Sequence, residues 1–158
     1  MITQERLKNL VVYKDGDLYW KTTKSGRDIT KSAGCLDRSS NRKRICIDYV
    51  YYYAYRLIFL YHYGYIPNFI DHINGNSSDD RIENLRECTK QENNRNSRTP
   101  RTNTSGVKNV VWNKKRNKWQ VQIMIDYQNK HLGYFEDIEL ATLVAEEARN
   151  KYFKQFAR

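Results

Sequence analysis

Asp71 and His72 stand side by side, Asn84 follows the histidine by 12 residues, and Asn93 follows it by 21. The set supplies one carboxylate, one imidazole and two amides. Hydrolysis of a phosphodiester needs an activated water, and a cation that neutralises charge on the scissile phosphate and the leaving oxygen. Asp71 and Asn93 offer oxygen ligands, which suit magnesium or manganese better than zinc. Two protein ligands leave room for waters and phosphate oxygens. His72 is the candidate general base, because neutral imidazole takes a proton near physiological pH. Its other ring nitrogen needs an acceptor to fix the tautomer. Asn84 is the candidate for a contact that holds the histidine and its loop. The same residues also allow a bland reading, in which Asp71 and His72 cap a turn and the asparagines fill loops.

The elements around these residues can be read from local pattern. Phe69-Ile70-Asp71 is strand-like and ends at His72, residues 73–81 are a polar loop, and Leu85–Cys88 is a second short strand. Thr89-Lys90-Gln91-Glu92 fits a capping box, so a helix is expected from about Thr89, with Asn93 in or just beyond its first turn. Strand, loop, strand and helix would let Asp71, His72 and Asn93 converge on one ion. Upstream, Asp15-Gly16 between two apolar runs predicts a hairpin. Residues 39–44 form a polar, basic loop, Ile45–Tyr51 is strand-like, and Tyr55–Tyr63 reads as a buried helix stopped by Gly64. Residues 94–106 are almost without apolar side chains and read as a linker region. Beyond them, Val107–Trp112, Trp119–Ile125 and Lys130–Tyr134 predict three short strands. Asp137–Phe153 predicts a helix, with Ile138, Ala141, Ala145, Ala148 and Tyr152 on one face.

Charge favours a polyanionic partner. The 158 residues carry a net +10, distributed as +6 over residues 1–70, −1 over 71–100 and +5 over 101–158. Two basic arms suit a phosphate backbone, and a centre richer in carboxylates suits a cation. Apolar content of 39% predicts a modest or divided core. No apolar run is long enough to span a bilayer, so no membrane partner is expected. The first residues lack the apolar segment of a secretory signal. Cys35, Cys46 and Cys88 are odd in number and include no C-x-x-C pair. That argues against a structural zinc site and a disulfide scaffold, and fits the cytoplasm.

The runs Asp71-His72-Ile73-Asn74-Gly75-Asn76, Asp80-Arg81-Ile82-Glu83-Asn84-Leu85-Arg86 and Glu92-Asn93 resemble the HNH endonuclease motif. The variety is the one in phage- and intron-borne homing endonucleases, where asparagine replaces the last histidine. Tyr55-Arg56-Leu57-Ile58-Phe59 and Tyr63–Pro67 resemble the segment leading into that motif. The resemblance implies a ββα-metal fold, one catalytic divalent ion, and products with a 5′-phosphate and a 3′-hydroxyl. It implies His72 as the base, Asp71 and Asn93 as metal ligands, and Asn84 as the residue that orients the histidine loop. Two departures stand out. The family often has His-Arg where this chain has Tyr55-Arg56, and Asp-Asn-Arg where it has Asp79-Asp80-Arg81. Neither falls on the four key positions, so catalysis stays in play, though substrate contacts can differ.

Residues 105–112, 118–123, 132–135 and 139–141 resemble a second family, the ethylene-response-factor-type (AP-two) DNA-binding domain. That resemblance implies a three-stranded antiparallel sheet in the DNA major groove, backed by one helix. Alternation along the middle strand supports it independently, with Val121, Ile123 and Ile125 facing the helix and Gln120, Gln122 and Met124 facing out. Glutamines can read base edges, and Lys114, Lys115, Arg116 and Lys118 suit phosphates. Trp112 and Trp119 serve equally as core or as DNA contacts. Arg42, Lys43, Arg44, Arg86 and Lys108 complete the DNA-contacting candidates.

These readings converge on an α+β protein. The expected parts are an N-terminal α+β segment (1–66) packed on the nuclease core, an HNH ββα-metal unit (67–98), a linker (99–105) and a sheet-plus-helix DNA-binding domain (106–158). The expected activity is divalent-metal-dependent hydrolysis of double-stranded DNA, of homing type and phage-encoded, in the host cytoplasm, by a monomer or homodimer. Each active site would hold one Mg2+ or Mn2+ ion, with no structural zinc. The alternative is a non-catalytic DNA-binding regulator with a degenerate HNH centre.

Overall fold

The computed structural model describes residues 2–97 and 99–157, apart from the side chain of Ser25. Among the described residues the fold is mixed α+β, with four α-helices and several small antiparallel sheets. It divides into two compact units, residues 1–90 and 91–158.

The first unit begins with α1 (Gln4–Leu10), capped by the Thr3 hydroxyl, which accepts from the Arg6 amide. The hairpin β1 (Val11–Lys14) and β2 (Asp17–Trp20) turns at Asp15 and Gly16, both with positive φ. Only glycine fits at position 16, because a Cβ there would meet the Arg81 side chain at 2.8 Å and its backbone nitrogen at 3.1 Å. A three-stranded sheet follows: β3 (Cys35–Asp37), β4 (Arg42–Ile47) and β5 (Val50–Tyr53). The expected strand over Ile45–Tyr51 is therefore two strands, broken by a turn at Asp48-Tyr49 with φ of 51° and 63°. No glycine marks that turn, which is why the pattern hid it. Helix α2 (Ala54–Tyr63) ends on Gly64 in the left-handed region, as the sequence predicts.

The hairpin β6 (Phe69–His72) and β7 (Leu85–Cys88) pairs Asp71 with Arg86 and His72 with Leu85. Its Ile70 and Leu85 join one hydrophobic core with Leu7, Val11, Leu18, Ile45, Ile47, Leu57 and Ile58. The N-terminal segment and the hairpin thus share a core, so the hairpin is held by tertiary packing, which a lone two-stranded hairpin lacks. Helix α3 (Lys90–Asn96) starts one residue after Thr89 and crosses the boundary between the units.

The second unit places β9 (Lys118–Ile125) between β8 (Val110–Asn113) and β10 (Gln128–Phe135), all antiparallel. Helix α4 (Ile138–Phe153) is capped by the Asp137 carboxylate. Val110, Val121, Ala141 and Ala145 form the core between sheet and helix. The small alanines let the helix approach the sheet closely. A bulge between His131 and Gly133 shifts the register of β10, so Leu132 and Phe135 both reach this core. Residues expected as a linker carry hydrogen bonds within this unit: Asn103 Nδ2 donates to the Val107 carbonyl (2.8 Å) and Ser105 Oγ to the Val110 carbonyl (2.7 Å). Among the described residues, no helix is long and apolar enough to cross a membrane.

Candidate active site

The β6–β7 hairpin delivers two adjacent functional side chains to different partners, because successive strand residues point to opposite faces. Asp71 lies across the ladder from Arg86 on the same face. Arg86 donates from Nε (2.9 Å) and Nη2 (2.7 Å), both to Asp71 Oδ2. Both side chains are largely buried. His72 is turned the other way and is 5% exposed. Its Nε2 lies 2.8 Å from Asp80 Oδ1, and its ring centroid is 5.5 Å from that of Tyr55 at the start of α2.

Asn84 sits at the foot of β7 and organises the connecting loop. Its Oδ1 accepts from the Asn74 amide (3.0 Å), while its Nδ2 donates to Asn74 Oδ1 (3.1 Å) and to the Asp79 carbonyl (2.7 Å). Its own carbonyl accepts from the Ile73 amide (2.9 Å). Asp79 is held by Arg81 through two bonds of 2.8 and 2.9 Å and by Asn74 Nδ2 at 2.8 Å. The Arg81 bonds, reinforced by Asn74, hold the Asp79 carboxyl well below the usual carboxylate range and push the Arg81 guanidinium up in turn. The Ile82 amide donates to the Tyr13 hydroxyl (3.2 Å), tying the loop to the first hairpin.

The two departures noted in the sequence, Tyr55 and Asp80, both pack against His72. Asp80 is eight residues from the histidine, and it reaches the ring because the Asn74–Asp79–Asn84 network folds the loop back. Reading the sequence noted Asp80 as a departure from the family pattern but did not assign it to the histidine. Its only signal there is a carboxylate in the same loop as the histidine.

The basic residues of the first unit separate by strand parity. Lys43 is engaged by Asp17 and Ser32. Arg44 reaches Asp37 (3.5 Å) and the Tyr51 ring. Arg42 stacks on Tyr55, its Cζ 4.8 Å from the ring centroid, and the same Tyr55 ring packs on His72. Arg42 Nη1 is buried without a hydrogen-bond partner.

Asn93 lies on α3, among the residues of the second unit. There Lys108 Nζ donates to the carbonyls of Arg95 (2.7 Å) and Ser97. On the sheet, Gln120 accepts from Asn113 Nδ2 (3.0 Å) and donates to Gln122 Oε1 (3.2 Å), a polar row on the face away from α4. Arg116 stacks on Tyr134 at 4.5 Å, Lys118 pairs with Glu136 at 3.1 Å, and Lys114 and Lys115 are exposed in the β8–β9 turn. Trp112 is paired in register with Trp119 and packs edge-on against it at 4.8 Å. Trp119 packs on the core. Trp112 is therefore on the helix side of the sheet, across from Gln120 and Gln122.

Among the described residues, no group of three or more His, Cys, Asp or Glu side chains is placed to hold a metal ion. A cation here would depend on mixed carboxylate and amide oxygens. Asp71 fits that use in chemistry, since its carboxylate is buried and anchored through Oδ2, as ligating carboxylates commonly are.

The family model described as HNH endonuclease matches residues 52–95, from the end of β5 into α3. Protein 3.8 of Escherichia phage T7 is 36% identical over 97 residues, which cover 60% of this chain and 79% of that protein. This chain belongs to the family of phage T7 Protein 3.8. Within it, residues 52–95 are an HNH endonuclease domain, a domain type that supports DNA endonuclease function. The HNH domain takes in Asp71, His72, Asp80, Asn84, Arg86 and Asn93. No solved structure matches the chain.

Proposed function

We propose that the protein is a divalent-metal-dependent DNA endonuclease of homing type. One observation carries the reading: inside the matched HNH segment, His72 is buried at the end of β6 with its Nε2 against a carboxylate. In this reading His72 takes the proton of the attacking water, which adds to the phosphorus as the 3′-oxygen leaves. Asn84 holds the loop that carries His72. Asp71 would hold one Mg2+ or Mn2+ ion through its carboxylate, with Asn93 the second ligand that the HNH resemblance implies. When bound, that ion supplies charge neutralisation at the phosphate and the leaving oxygen.

Arg42 is assigned to a phosphate near the base, because its guanidinium stacks on Tyr55, whose ring also packs on His72. Gln120, Gln122, Lys114, Lys115 and Arg116 are assigned to duplex DNA, as the outer face of a sheet resembling the ethylene-response-factor type. Lys43, Arg86, Lys108 and Lys118 already have partners within the protein and contribute less. The enzyme acts in the cytoplasm of a phage-infected host. One site per chain makes a monomer a nicking enzyme, and a homodimer could cut both strands.

The test is incubation of supercoiled and linear phage DNA with Mg2+ or Mn2+, beside His72→Ala protein and an EDTA control. Wild type is expected to nick, and both controls to be silent. Equal nicking by wild type and His72→Ala across both metals and several DNAs overturns the reading. Retained DNA binding under that outcome would favour a non-catalytic regulator.

A further inference from the structure

We infer that Asp80 is a positioning residue for His72, which fixes the imidazole as the Nε2–H tautomer. The inference rests on the nuclease reading for its catalytic consequence, but its structural half stands alone.

Asp80 Oδ1 is 2.8 Å from His72 Nε2, and both side chains are largely buried, at 11% and 5% exposure. A buried imidazole nitrogen facing a carboxylate oxygen at this distance is satisfied when it carries the hydrogen, so this contact favours a proton on Nε2. An ionised carboxylate can only accept hydrogen bonds. It therefore selects Nε2–H in every neutral state of the ring. An amide at the same position could present either its oxygen or its NH2, and would leave the choice open. Asp80 is itself placed by the chain around it: Asp79 is clamped by Arg81 and Asn74, and its carbonyl is held by Asn84. The Tyr55 ring restricts the imidazole from another side. Asn84 shapes the loop that presents Asp80.

Two measurements test this. Nitrogen-15 NMR of the full-length wild-type protein, without metal or DNA, is expected to show His72 as the Nε2–H tautomer. Asp80→Asn is expected to show a mixture of tautomers, and Asp80→Leu a loss of the preference. In nicking assays, Asp80→Leu is expected to lower the rate at saturating DNA by about 10- to 100-fold, the usual cost of losing a histidine-orienting partner. Asp80→Asn is expected to recover part of that loss. The DNA concentration for half-maximal rate should stay within about twofold in both, since substrate contacts are untouched. A wild-type Nδ1–H tautomer overturns the inference even if the variants fold poorly. So does a rate at saturating DNA that neither substitution lowers. If wild type fails to nick at all, the nuclease reading falls, while the tautomer still decides whether Asp80 sets the ring.

Discussion

At the residue scale the loop between β6 and β7 is built from side-chain amides and carboxylates, and Asn84 is its hub. It makes three side-chain hydrogen bonds in a largely buried position. Removing them leaves buried groups unpaired, so Asn84→Ala is expected to destabilise the protein by roughly 2–4 kcal/mol. A denaturant titration would show it as a lower midpoint with an unchanged slope, and nicking should fall with it. Asp79 adds a pH signature. Its carboxyl is held low in the folded state by Arg81, so its contribution is fully present above the ordinary carboxylate value. It is lost as the pH falls below about 4 toward the lowered folded value. The stability gap between wild type and Asp79→Asn should therefore be constant from pH 8 to pH 5 and close in stronger acid. A gap that instead widens on acidification would contradict the ion pair.

At the element scale the strongest local signals were those with a dedicated residue. Gly64 stops α2, Asp137 starts α4, and Asp15-Gly16 turns the first hairpin. The β4–β5 turn had no such marker. Asp48 and Tyr49 adopt left-handed backbone angles that a two-residue hairpin turn demands and that glycine would satisfy more easily. Tyr49 is fully exposed, so its ring returns nothing in packing. Tyr49→Gly is expected to raise stability by about 0.5–1 kcal/mol, the relief of left-handed strain less the added freedom of the unfolded chain. A thermal melt checks it, and a lower midpoint would show that Tyr49 makes contacts the fold does not reveal.

At the scale of the whole molecule, charge and division into units matter most. The net charges of +6, −1 and +5 along the chain leave the segment around His72 close to neutral and the flanking segments basic. DNA binding by His72→Ala protein should therefore be strongly salt-dependent. About five or more phosphate contacts would give a log–log slope near −5 or steeper. Replacing Lys114, Lys115 and Arg116 by alanine should make the slope shallower by about 2–3. An unchanged slope would remove the β8–β9 turn from the interface.

Sequence alone determined the identity and spacing of Asp71, His72, Asn84 and Asn93, the α+β class, and most strand and helix positions. Those features depend on local periodicity, caps and turns, which a short stretch of chain carries within itself. The tertiary structure decided which groups meet. It set Arg86 on Asp71 through the register of β6 and β7, placed Asp80 and Tyr55 on His72, and withdrew Lys43 and Lys108 into internal contacts. It also put Trp112 on the helix side of its sheet. None of these is a property of spacing. Each depends on how a loop folds back or which face of a pleat a residue lands on, and those are settled only when the cores close.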